Sequence, residues 1–166
     1  MRLFEETGNG GAEMSTNLEK PLRLRVERTF HAERQRVWDA WTKSEHLQRW
    51  SAPEGLQVTD GDLDLRVGGR WRVVMEGGGR KYIAVGTYRE ITPPERLVYT
   101  HAWTTDETPV ETLVTVSFHE ESGKTRVVLE QEGFGEEGSR SGHEEGWSSA
   151  FDVLERYMKD GSTGGA

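Results

Sequence analysis

The chain has 166 residues, enough for one domain with tails that buries roughly two thirds of its unfolded surface. Its 21 Lys+Arg against 29 Asp+Glu leave a formal charge of −8, a field that repels nucleic acid and anionic membrane and argues against a basic groove. With no cysteine, disulfides, thiolate nucleophiles and thiolate metal ligands are excluded.

Residues 1–20 and 160–166 are polar and glycine-rich, so both ends read as flexible tails around a folded segment, 21–159. The opening "MRLFEETGNGGAEM" carries acids where a secretory leader has an apolar run, and no later stretch resembles a membrane span. A soluble, cytoplasmic protein without membrane insertion is the expectation.

In "PLRLRVERTF" Leu22, Leu24, Val26 and Phe30 alternate with Arg23, Arg25, Glu27 and Thr29, the period-two pattern of a half-buried strand. The next run changes period. Val37, Trp38 and Trp41 mark one helical face, and Ser44 is placed to cap a second short helix carrying Leu47 and Trp50. From Leu56 to Gln131 six alternating runs are divided by Gly or Pro turns, which predicts six more strands in meander order. The last segment spaces Trp147, Ala150, Phe151, Leu154 and Met158 helically, with Ser141 and Glu144 in capping-box positions.

The glycine pair in "DLRVGGRWRVVM" invites a phosphate-loop reading, but such a loop needs a helix after the glycines, and "RWRVVM" alternates as a strand. A hairpin with Val67, Gly68 and Gly69 as its loop sets Leu65 opposite Trp71, Leu63 opposite Val73 and Asp64 opposite Arg72. The apolar parity slips between Val58 and Leu63, which predicts a bulge at Gly61.

One strand, two short helices, six strands and a long helix make an α+β order. A strongly curved antiparallel sheet of about seven strands must bury its concave face, and only the C-terminal helix is long enough to cover it. Where curvature exceeds what the helix fills, an apolar cavity is left.

"ERTFHAERQRVWDAWTKSEHLQRW", "DLRVGGRWRVVM", "GTYREITPPERLVYTHAW", "KTRVVLEQEGF" and "GHEEGWSSAFDVLERYM" resemble, in order and spacing, the homologues of the activator of the heat-shock-protein ATPase. That family belongs to the START-like, SRPBCC superfamily of helix-grip folds. The resemblance implies a helix-grip domain over 21–159. Superfamily members carry lipids, bind hormones or metabolites, cyclise polyketides or contact a chaperone, so the fold alone selects no function. Many relatives have a histidine near the end of the last strand, where this chain has Gln131.

The five histidines His31, His46, His101, His119 and His143 form no helical or alternating ligand pair, so no metal is expected. His101 shares strand parity with Tyr99 and Trp103 and is the candidate acid or base. No nucleophile elbow is present, and the acidic run after Glu130 lacks calcium-loop spacing. Six tryptophans in one small domain are the informative feature, because a buried indole N–H needs a partner.

The cavity-lining set is Trp41, Trp50, Trp71, Val73, Tyr88, Trp103, Gln131, Trp147 and Phe151, with Tyr82 and Tyr99 as further polar tips. The first functional expectation is a non-enzymatic domain that holds a small apolar or aromatic molecule without a cofactor, as a monomer or weakly associating homodimer. The alternatives are an interaction module acting on a chaperone ATPase, which the resemblance implies, and a cofactor-independent cyclase, hydratase or hydrolase using His101.

Overall fold

A computed structural model of the chain describes residues 22–164, with side chains through Lys159; the N-terminal segment expected as a tail lies outside the described residues. The elements follow the expected order. Strand β1 (Leu22–Phe30) is followed by helices α1 (Arg34–Thr42) and α2 (Ser44–Trp50). Strands β2 (Gln57–Leu63), β3 (Arg70–Gly77), β4 (Arg80–Thr92), β5 (Arg96–Trp103), β6 (Thr112–Glu121) and β7 (Lys124–Phe134) come next, and helix α3 (Glu137–Gly164) closes the fold. It runs past the expected boundary at 159.

All seven strands form one antiparallel sheet in the order β1-β7-β6-β5-β4-β3-β2, so the meander is completed by β1 pairing with the last strand. Alternation decides which side is core. Leu24 and Phe30 of β1 and Val114, Val116 and Phe118 of β6 are buried, whereas Arg23 and Arg25 point to solvent and pair with Glu132 and Glu27. Extra residues at Thr59 in β2 and Arg89 in β4 break the pairing register, and such bulges increase local twist and bend.

Helix α3 lies across the concave face. Ala150, Phe151, Leu154 and Met158 form its buried stripe, and Phe151 meets Phe30 and Trp41 edge-on at 5.6 and 5.8 Å between ring centroids. Trp38, Trp41 and Phe118 pack edge-on into the same cluster. Arg28 of β1 reaches Asp152 at 2.9 Å and Glu155 at 3.0 Å, and Arg36 of α1 donates to the Met158 carbonyl at 2.7 Å. The C-terminal half of α3 is therefore anchored on both sides.

Three local expectations are corrected. The β2–β3 hairpin pairs Leu63 with Trp71 and Asp62 with Arg72, two residues out of the expected register, and residues 64–69 form a longer loop. A slip of two residues keeps every side chain on its face, so sidedness alone does not discriminate between the two pairings. What decides is β4: Gly68 donates to the Tyr88 carbonyl and Tyr88 N–H to the Gly69 carbonyl, drawing the loop out of the β2 ladder. Leu65 and Val67 are left 40% and 64% exposed. The bulge falls at Thr59 rather than Gly61, because α2 packs onto Gly61; an added Cβ there would lie 3.2 Å from both Ser44 and Gln48.

The caps differ as well. Ser44 lies inside α2 and its hydroxyl donates to the Gly61 carbonyl at 2.8 Å, while Lys43 takes the N-cap position. Helix α3 begins at Glu137, ahead of the Ser141 box, and Arg140 bridges Glu137 and Glu144 across its first turns at 2.7 Å each.

Candidate functional site: a chambered cavity beneath helix α3

The two halves of α3 meet the sheet differently. Its C-terminal half fills the concave face with large side chains. Its N-terminal half presents Gly138, Gly142 and Gly146, one residue every four, and all three line a cavity of about 390 Å³. A Cβ built on Gly142 would meet nothing within 4 Å. Each glycine within a helix costs roughly 0.5–1 kcal/mol relative to alanine, so this bare face is a local cost that leaves room against the sheet. Tyr82, Trp103, Met75, Pro53 and Leu56 form the opposite and lateral walls.

An inner chamber of about 60 Å³ adjoins this outer one and shares Ser51, Met75, His101 and Trp147 with it. Trp71, Val73 and Ala84 line it together with Trp41, Tyr88 and Tyr99 and the aliphatic Leu47, Leu63 and Leu97. A third recess of about 210 Å³ continues outward past Trp103 and His143 to Thr108 and Val110. His101 belongs to all three.

The polar groups around these chambers are fixed by one another. The Trp103 indole donates to His143 Nε2 at 2.8 Å, and an indole is only a donor, so that nitrogen is unprotonated. Nδ1 of His143 lies 2.8 Å from the Ser139 carbonyl, which accepts; the ring is therefore the neutral Nδ1–H tautomer. His101 lies 5.6 Å from Trp71, 5.0 Å from Trp103 and 5.8 Å from His143 between ring centroids. Burial pushes the His101 pKa down to about 3, so it is an uncharged ring here. Burial likewise raises the Tyr88 and Tyr99 hydroxyls above their ordinary value, leaving them protonated.

No Lys or Arg lines any of the three chambers, and the acids are Asp106 and, in the outermost recess, Glu136. The interior thus carries no cationic side chain that could neutralise an anion. Among the described residues no group of three His, Asp or Glu side chains is arranged to hold a metal ion.

Of the residues expected to line a cavity, Trp41, Trp71, Val73, Tyr88 and Trp147 surround the inner chamber, and Trp103 and Trp147 face the outer one. Trp50, Gln131 and Phe151 line none of the three chambers. Trp50 donates to the Ala40 carbonyl at 2.8 Å and packs on Trp41, while Phe151 sits in the dry core. Gln131 is 0% exposed and bridges sheet and helix: it accepts from Trp147 and donates to Thr112, each at 2.8 Å. Sequence reasoning missed the glycine face, Ser51 and His143. The available signal was Gly138, Gly142 and Gly146 at four-residue spacing within an amphipathic segment.

A curved antiparallel sheet wrapped about one long helix, with a cavity beneath the helix's glycine face, defines a START-like helix-grip domain. The family model described as Activator of Hsp90 ATPase homolog 1-like protein matches residues 31–159, and the chain belongs to that family. Among solved structures it is similar to a protein from Chromobacterium violaceum, with a TM-score of 0.77 at 25% identity, covering 82% of this chain and 96% of that one. The AHSA1 protein from Silicibacter pomeroyi gives a TM-score of 0.74 at 29% identity over 83% of this chain and 98% of that one. A solution structure of a protein from Arthrobacter aurescens gives 0.74 at 25% identity, covering 84% and 87%. No match was found among curated proteins. Among the described residues no helix is long and apolar enough to cross a membrane.

Proposed function

We propose that this chain is a non-enzymatic binding domain for a small apolar or aromatic molecule, seated between the sheet and the glycine face of α3. The observation that carries the reading is the cavity of about 390 Å³ under Gly138, Gly142 and Gly146, within the range of roughly 300–1,000 Å³ typical of small-molecule sites. Its walls are aromatic and aliphatic, so affinity comes from area burial at roughly 25 cal/mol per Å². The domain, 21–159, acts as a monomer or weak homodimer in the cytoplasm, a location with which its lack of cysteine agrees.

A thermal-unfolding series with uncharged naphthalene derivatives tests this. A ligand at a hundred times its Kd adds roughly 2.7 kcal/mol to native stability, read as a raised midpoint. A midpoint unmoved by every probe contradicts the proposal.

The family description favours a second reading, contact with a chaperone ATPase. It predicts a change in the chaperone's ATPase rate that follows surface charges rather than cavity residues.

A further inference from the structure

The two histidines at the cavity differ in what holds them. His143 has both ring nitrogens engaged, one by the Trp103 indole and the other by the Ser139 carbonyl. His101 lies among Trp71, Trp103 and His143, yet among the described residues no other residue hydrogen-bonds its ring. Its own backbone carbonyl acts on it, and a carbonyl in that position can engage only one of the two nitrogens.

The other nitrogen is within reach of the cavity. The described side-chain polar atoms that are both occluded and unpartnered are Arg34 Nε, Trp41 Nε1 and Ser51 Oγ. No His101 nitrogen is among them, so the unengaged one keeps accessible surface in a residue only 8% exposed. His101 lines all three chambers, and it is onto them that this surface opens. A wholly apolar guest laid against the ring would strip that nitrogen of water and return no hydrogen bond.

The chemistry of the partner follows from the ring. An uncharged imidazole has one donor and one acceptor nitrogen, and no neighbour fixes which of them faces the cavity, in contrast to His143. A hydroxyl serves either arrangement, donating to a bare nitrogen or accepting from an N–H, whereas a carbonyl or an ether serves only one. A carboxylate would be desolvated with no Lys or Arg lining any chamber, and Asp106 at the outer wall would repel it. The outer chamber, about 390 Å³ between the glycine face and Tyr82, Trp103 and Met75, has room for the ring system that carries the hydroxyl.

On the reading above, that the cavity binds a small molecule, we infer that its ligand is an uncharged hydroxyaromatic compound whose hydroxyl hydrogen-bonds the free ring nitrogen of His101 while its rings lie under the glycine face of α3. His101 is thus the polar anchor of an otherwise apolar site. Fatty acids and aromatic carboxylates are disfavoured.

Three probes built on one ring system test this at pH 7.5: 2-naphthol, 2-methylnaphthalene, whose methyl replaces the hydroxyl at similar size, and 2-naphthoate, with Kd taken from ligand-raised unfolding midpoints. The naphthol is expected to bind at least about fivefold more tightly than the hydrocarbon, as one added buried hydrogen bond implies, with the naphthoate weakest. His101→Phe keeps an aromatic ring and removes its nitrogens, and should erase that preference. Should the variant fail to fold, nitrogen NMR reads the His101 ring on the native chain: 2-naphthol should move one ring nitrogen further than 2-methylnaphthalene does, and equal shifts count against the inference. A hydrocarbon that binds as well as the naphthol, which is also the result if a resident water satisfies the ring, overturns the inference and leaves the binding domain standing. So does a naphthoate that binds tightest, or a His101→Phe protein that keeps the preference. Failure of all three probes to bind overturns both readings.

Discussion

The Trp147 indole on α3 donates to Gln131 Oε1 on β7 at 2.8 Å, and the Gln131 amide passes the chain on to Thr112, whose hydroxyl donates to the His101 carbonyl at 3.2 Å. With the Trp103–His143 bond, this is a polar tie between the glycine-faced half of α3 and the sheet. Replacing Gln131 by Leu keeps the bulk but strands the part-buried Trp147 indole donor and removes the buried bond to Thr112, so a loss of roughly 1–3 kcal/mol in urea unfolding is expected. Trp147→Phe should cost less in that background than in the native one, by about 0.5 kcal/mol or more. Strict additivity of the two losses would show that the bond contributes nothing beyond packing.

His101 makes stability depend on pH. Its folded pKa of about 3 lies below the ordinary 6.5, so between these values the unfolded chain binds a proton that the folded chain does not. The contribution is complete above pH 6.5 and declines as the pH falls toward 3. Between pH 7.5 and 5 it amounts to roughly 2 kcal/mol, at about 1.4 kcal/mol per unit below 6.5. Urea midpoints of the native protein should drop over that interval by more than those of His101→Gln. Parallel declines would refute the assignment.

Gly86 is required by Trp71. The two are paired across β3 and β4, and the Trp71 indole crosses Gly86 to reach the Thr100 carbonyl at 3.1 Å. A Cβ at position 86 would stand 1.8 Å from that carbonyl oxygen and 2.4 Å from the indole nitrogen. Gly86→Ala should therefore cost about 3 kcal/mol or more, whereas Gly142→Ala, with open space around it, should be neutral or stabilising by up to about 1 kcal/mol. Thermal unfolding of the two variants checks the contrast.

The element order, the meander and the buried stripe of α3 were legible because alternation and helical spacing record directly which side of each element is apolar. The hairpin register was not, since a two-residue slip leaves Leu63 and Leu65 on the same face and the pairing of Gly68 and Gly69 with Tyr88 depends on a distant strand. The same limit separates the aromatics. Trp41 and Trp50 look alike in sequence, but only coordinates show that one indole finds the Ala40 carbonyl and the other finds no protein partner. Gln131 reads as a polar tip in a cavity until Trp147 and Thr112 are seen to occupy its amide. The glycine face was visible as spacing, yet its meaning comes from the sheet's failure to follow the helix there.

The most direct measurement compares binding of 2-acetonaphthone by the native protein and by Gly142→Leu, whose side chain would project into the cavity of about 390 Å³ without meeting existing atoms at its Cβ. Leucine is a good helix former, so the variant should fold at least as stably as the native chain. The account predicts saturable one-to-one binding by the native protein and a loss of at least about tenfold in the variant, the scale of 1.4 kcal/mol or more of forfeited burial. Equal affinity in the two proteins, or no saturable binding in the native one, would contradict it.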